Sequence, residues 1–116
     1  MVKIATFCFN GFQENTYVLW DASGECMFVD PGNSHPGEDD QVYRLVEKEG
    51  LKPVKVVNTH CHLDHVMGNG TLSKKYGIPV WAPAGEEPIL RMAEASAAMF
   101  GVRLREVPPE PDRWFP

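Results

Sequence analysis

Three of the chain's four histidines fall within six residues, at His60, His62 and His65, with Asp64 between the last two. In a chain of this composition the pattern His-x-His-x-Asp-His arises by accident in about 2 of ten thousand sequences, so the spacing asks for a chemical reason. Neutral imidazole nitrogen is a favoured zinc donor, and a carboxylate adds a harder oxygen donor. His60 and His62, two apart in a turn, can converge on one cation, while Asp64 and His65 at the onset of a helix suit a second. Two such ions, about 3.5–4 Å apart, can share a hydroxide and hold a substrate oxygen. The alternative is a structural metal, but closed structural zinc sites use four protein ligands, usually including cysteine. Cys61 is the nearest cysteine, and its place between two ligands is expected to turn its side chain away. Gly68 and Gly70 are expected to let the backbone come close to the site.

These residues must be positioned by the elements around them. Val2 to Phe9, Asn15 to Trp20 and Glu25 to Asp30 read as three strands of an antiparallel meander, with turns at Asn10-Gly11 and Asp21–Gly24. Breakers mark Pro31–Gly37 as a loop, in which His35 reads as a solvated residue. Val42, Leu45, Val46 and Glu49 follow helical spacing up to Gly50. Val54 to Val57 is a short apolar strand without alternation, the pattern of a strand buried on both faces. A helix over Gly70 to Tyr76, a strand over Ile78 to Trp81 and a helix over Pro88 to Phe100 complete the order β-β-β-α-β-α-β-α. This is an α/β arrangement with a mixed sheet. It places the histidine cluster past the carboxyl end of a strand, where open α/β sheets carry their sites. The proline-rich tail 107–116 reads as a connecting segment.

At 116 residues the chain suits one domain, and its 43% apolar content is that of a globular protein. A net charge of -5 argues against nucleic-acid partners and against an anionic membrane surface. No apolar run is long enough to span a bilayer, and the first residues do not read as a signal peptide. Cys8, Cys26 and Cys61 form no CxxC pair and indicate a reducing compartment, expected to be the cytoplasm. Cys8 and Cys26 are expected to pack as small apolar residues.

The run Thr59-His60-Cys61-His62-Leu63-Asp64-His65 resembles the signature of the metallo-β-lactamase superfamily. Gln13-Glu14-Asn15-Thr16-Tyr17, Val29-Asp30-Pro31-Gly32, Val66–Gly70 and Tyr76–Val80 resemble its glyoxalase II-like (hydroxyacylglutathione hydrolase-like) branch. The resemblance implies that His60 and His62 bind a first metal, and Asp64 and His65 a second. Asp64 would also orient a bridging hydroxide, and Asp30 would lie beneath the metals and fix their ligands. It implies zinc, two ions in the complete site, with iron or manganese as alternatives. The implied activity is hydrolysis of a thioester such as an acyl-glutathione; a β-lactam, a phosphodiester or a non-catalytic metal-binding half-domain are the alternatives. The family fold is an αββα sandwich of two similar halves, and the second half supplies further ligands. No histidine follows His65. Residues 1–116 are therefore expected to be the N-terminal half of the sandwich, inactive alone, with an uncovered sheet face through which it forms a homo-oligomer.

Overall fold

Alternation of inward and outward residues in the first thirty positions yields three antiparallel strands in the computed structural model, which describes residues 1–116. β1 (Lys3–Phe9) pairs with β2 (Glu14–Trp20) from Lys3↔Trp20 to Phe9↔Glu14, and β2 pairs with β3 (Glu25–Val29) from Tyr17↔Val29 to Trp20↔Cys26. Asn10 and Gln13 close the first turn in the left-handed region, with φ 56° at each. Three further strands then run parallel to β3 and to one another: β4 (Lys52–Val57), β5 (Val80–Pro83) and β6 (Arg113–Phe115). The six strands lie in the sheet in the order of the chain.

Parallel neighbours need crossover connections, and helices supply them. α1 (Pro36–Glu49) joins β3 to β4; α2 (Leu63–Val66) and α3 (Asn69–Tyr76) join β4 to β5. A 3₁₀ turn (Ala84–Glu86), α4 (Glu87–Arg91) and α5 (Ala93–Met99) lead on towards β6. Val18, Cys26, Phe28, Val56 and Val80 point to one side of the sheet, where α1 brings Val42 and Val46 and α3 brings Leu72. Ala82, two residues after Val80 and so on the same side, packs with Cys61, Val66 and Leu90. The helices thus cover one face. On the other, the register lines up Tyr17, Val29, Val57 and Trp81 across four strands, beside Ile4, Leu19 and Met27. All but Ile4 are half-buried, and Ile4 is 61% exposed.

Several expectations are corrected. β4 is not buried on both faces: Val56 packs under the helices, whereas Val57 lies half-exposed because nothing covers the second face. Cys8 is exposed, since it pairs with Asn15 on that open side. His35 is exposed, as expected of a solvated residue, but it is also the N-cap of α1, its Nδ1 accepting from the Gly37 N–H at 3.1 Å, with Pro36 opening the helix. The expected helix over Pro88 to Phe100 breaks at Met92; Leu90 turns towards Cys61, while Ala93 and Ala97 turn towards Leu63. The tail is not merely a connector: Arg113–Phe115 adds an edge strand to β5, and Asp112 accepts the Val80 N–H at 2.8 Å.

Phe28 is fully buried at the centre of this core, its ring 5.7 Å from that of Tyr76. Phe28→Ala removes that burial and leaves a cavity, and is expected to cost about 3–5 kcal/mol in urea denaturation. A loss below about 1 kcal/mol would place the core elsewhere.

Candidate metal centre

His60 and His62 sit on an irregular turn, residues 58–62, that leaves the carboxyl end of β4, and His65 follows in α2. Such a turn has no ladder to satisfy its N–H groups, so side chains must. Asp30, just past β3, does so. Val29 and Val57 are register partners, and the Asp30 N–H donates to the Val57 carbonyl at 2.9 Å. Asp30 then turns left-handed, with φ 51°, a conformation that costs a non-glycine residue roughly 1–3 kcal/mol. The turn directs its carboxylate to the loop, where Oδ1 accepts the Thr59 N–H at 2.7 Å and Oδ2 accepts the Thr59 hydroxyl. With that proton committed to Asp30, Thr59 Oγ1 is free to accept from His60 Nδ1, 3.0 Å away. His60 Nε2 is then left with its lone pair for a metal.

The second pair is tied from other directions. Asn10 Nδ2 donates to the carbonyls of Asp64 (3.0 Å) and Gly32 (3.1 Å), joining the first hairpin turn to α2. Asn58 Nδ2 donates to the His65 carbonyl at 3.1 Å and exchanges amide hydrogen bonds with Asn69. Gly68 and Gly70 do allow close approach, but to other groups than the site. A Cβ on Gly68 would lie 1.8 Å from Asn33 Oδ1, and one on Gly70 would lie 2.4 Å from Glu106.

Asp30, His60 and His65 each offer one ligand atom within 4.8 Å of the others. Asp64 adjoins them, with Oδ2 3.6 Å from His65 Nε2, and its carboxylate accepts no hydrogen bond from the protein. His62 stands apart from this group: its ring centroid is 6.4 Å from that of His60, and it is exposed. Cys61, between the two, is fully buried in the core. The cavity in front of the cluster holds about 400 Å³ and is walled by Phe12, Tyr17, Thr59, His60, Asp64 and His65 among others. The donor set fits a divalent cation. Two imidazoles and a carboxylate converge, with buried His65 Nδ1 3.2 Å from Asp30 Oδ2 but making no hydrogen bond.

Sequence reasoning missed Glu14, Asn10 and Glu86. Glu14 is buried; its Oε2 accepts the Thr16 hydroxyl at 2.8 Å, and its unpartnered Oε1 faces His65 Nδ1 at 3.6 Å. The available signal was a carboxylate at an inward position of β2, on the same face as Thr16 and Val18. The sequence marks Asn10 only as a turn former. Glu86 accepts the Cys61 N–H at 2.9 Å, and no local pattern links residues so far apart in the chain.

The sequence model of the Metallo-beta-lactamase superfamily matches residues 9–116. The chain is 30% identical over 105 residues to the hydroxyacylglutathione hydrolase GloC of Haemophilus influenzae, covering 90% of this chain and 47% of that protein. It is 36% identical over 74 residues to the hydroxyacylglutathione hydrolase of Cronobacter sakazakii, covering 62% of this chain and 28% of that one. Among solved structures, TTHA1623 in a di-iron-bound form matches with a TM-score of 0.81 at 27% identity, over 97% of this chain and 54% of that one. The B3 metallo-beta-lactamase BLEG-1 matches with the same TM-score at 22% identity, over 98% of this chain and 53% of that one, a likeness of fold. The chain spans about half or less of the length of these relatives.

Burial pushes the Glu14 carboxyl up to about 8, against the opposing hydrogen bond from Thr16; the charges of Asp30, Asp64 and Glu38 act in the same direction as burial. A carboxyl whose pKa is higher folded than unfolded contributes stability that is complete below its unfolded value of 4.5 and is lost as the pH rises through about 8. The metal-free protein is therefore expected to lose stability from about pH 5 to about pH 9, and Glu14→Gln to remove that component. Urea denaturation across this range checks it; parallel pH profiles for the two proteins would contradict it.

Proposed function

The chain belongs to the metallo-beta-lactamase superfamily, and from that premise we propose that it is the first half of a metal-dependent hydrolase that cleaves a thioester such as an acyl-glutathione. The observation that supports this reading most is the His60–His65 cluster, set against Asp30 at the carboxyl end of the sheet in a chain similar to hydroxyacylglutathione hydrolases. His60 and His62 would hold one ion, and Asp64 and His65 a second. Zinc is the favoured occupant of imidazole-rich sites, with iron or manganese as alternatives. When bound, the metals supply Lewis-acid activation of water and of the scissile carbonyl.

The chain's own residues do the positioning. Asp30 and Thr59 hold the His60 ring and its tautomer. Asp64, free of protein donors and bordering the cavity, orients the attacking water and holds its proton. Phe12 and Tyr17 wall the cavity on the side of the first hairpin, and the acyl group lies against them. Two imidazoles leave a tetrahedral ion short of the three protein ligands that a catalytic site uses, so the remaining donors come from the other half of the protein. The three unpaired cysteines fit a reducing compartment, the cytoplasm in this reading.

The protein extended by its second half is expected to hydrolyse acyl-glutathiones, and Asp64→Asn to lower kcat roughly 100-fold. Residues 1–116 alone are expected to show no turnover with added zinc. Thioesterase activity of the short chain would overturn its incompleteness. An extended, metal-loaded protein that cleaves lactams or phosphodiesters but no thioester would overturn the substrate.

The row Tyr17, Val29, Val57 and Trp81 bears on assembly. An apolar face of this kind draws a cover, and we propose that residues 1–116 alone self-associate through it. Light scattering is expected to give a dimer or larger species; a strict monomer at high concentration would refute this.

A further inference from the structure

The turn that carries His60 and His62 is held from one side by Asp30. On its other side, the Cys61 N–H lies in a fully buried setting, between the two histidines. That donor has no place in the β4 ladder, and a buried N–H without an acceptor is strongly unfavourable. Glu86 supplies the acceptor: its Oε1 lies 2.9 Å from the Cys61 nitrogen. Glu86 closes the 3₁₀ turn that follows β5, the parallel neighbour of β4. Asp30 reaches the turn from β3, the parallel neighbour on the opposite side. Alternate N–H groups, those of Thr59 and Cys61, are thus pinned by two carboxylates from the two strands that flank β4. The peptide of His60 is suspended between them, and the carbonyl end of Cys61 leads directly into His62.

We propose that Glu86 is a positioning residue for the metal centre: by fixing the Cys61 peptide it sets the direction in which the His60 and His62 rings leave the backbone. This inference rests on the metal-binding reading above. It requires only an acceptor oxygen at Oε1, so an amide in place of the carboxylate serves equally well. Charge is not the operative property, because the group it meets is a neutral peptide N–H.

Four forms of the protein test it: wild type, Glu86→Gln, Glu86→Leu and Asp112→Leu. The last removes a comparable clamp, the carboxylate that accepts the Val80 N–H, away from the histidines. Zinc alone is titrated and followed on the His60 and His62 ring resonances, and hydrogen exchange is measured at the Cys61 amide in metal-free protein. Glu86→Gln is expected to keep wild-type affinity within about threefold and to keep the amide protected. Glu86→Leu is expected to lower zinc affinity about 10–100-fold and to expose the amide, the range typical when a group supporting a metal ligand is lost. Asp112→Leu is expected to reduce thermal stability while leaving zinc affinity within about twofold. Equal losses of affinity in Glu86→Leu and Asp112→Leu would reduce Glu86 to general stability and overturn the proposal; so would a loss in Glu86→Gln as large as in Glu86→Leu. If the wild type takes up no zinc, the metal reading fails by itself. The clamp is then judged by Cys61 exchange and by the metal-free ring shifts of His60 and His62: movement of both in Glu86→Leu but not in Glu86→Gln supports it, and no movement overturns it.

Discussion

The rest of the site depends on one hydrogen-bonded joint, the carboxylate of Asp30 against the N–H and hydroxyl of Thr59. Parallel strands β3 and β4 end in register, and beyond their last ladder bond the backbone has no regular partner to offer. The left-handed turn at Asp30 converts that loose end into a side-chain clamp at the place where the histidine turn begins. Remove the carboxylate, and the Thr59 N–H loses its partner while Thr59 loses the acceptor that frees its oxygen for His60. The strain at Asp30 is tolerated because its N–H to Val57 and its contacts to Thr59 over-determine the geometry, as strained functional residues require.

That joint belongs to a wider pattern in which buried acids hold loops together at the carboxyl end of the sheet. Glu14, Asp30, Glu38 and Asp39 are all buried. Each meets the cost of desolvation differently. Glu38 accepts the N–H groups of Asn10 and Ser34. Asp39 is pushed up by burial but more strongly down by the paired hydrogen bonds of Arg105 and by Asn33, so it stays ionised. Arg105 also donates to the Asn33 carbonyl, which brings the segment after α5 into the same scaffold. Glu14 has one hydroxyl donor and no cation, and its carboxyl is pushed up to about 8 instead. Asp39, held by Arg105 and Asn33, ties the loops together, whereas Glu14, with the Thr16 hydroxyl as its one donor, sits next to His65 with an unpaired oxygen.

What could be read in advance follows from which forces are local. The meander, α1 and α3 were legible because period-two and helical spacing are written in consecutive residues, and the histidine cluster because its four members lie within one turn and a helix onset. The second face of β4 was misread because a short run such as Val54–Val57 looks the same whether a second layer is present or not. β6 was hidden by the prolines around it, and its three residues pair only through β5. The contacts of Glu86 and Asn10 with the site carried no signal in the sequence. Their partners, Cys61 and the Asp64 carbonyl, lie far along the chain and are backbone groups, which leave no mark on composition or period.

The uncovered sheet face and the short ligand set are linked by geometry. Tyr17 stands in the apolar row that crosses the sheet, and it also walls the cavity in front of His60 and His65. The helices occupy the opposite face and support the histidine turn from behind, through Cys61, Val66 and Leu90. Any layer that packs on Tyr17, Val29, Val57 and Trp81 therefore arrives at the mouth of the cavity from the side that this chain leaves open. In the two-half reading, burial of that face and delivery of the missing ligands are one event. On that proposal, the hydrophobic area that would drive the halves together would also pre-order the metal shell, so that the entropy of assembling the proposed site would be met by packing before any ion binds.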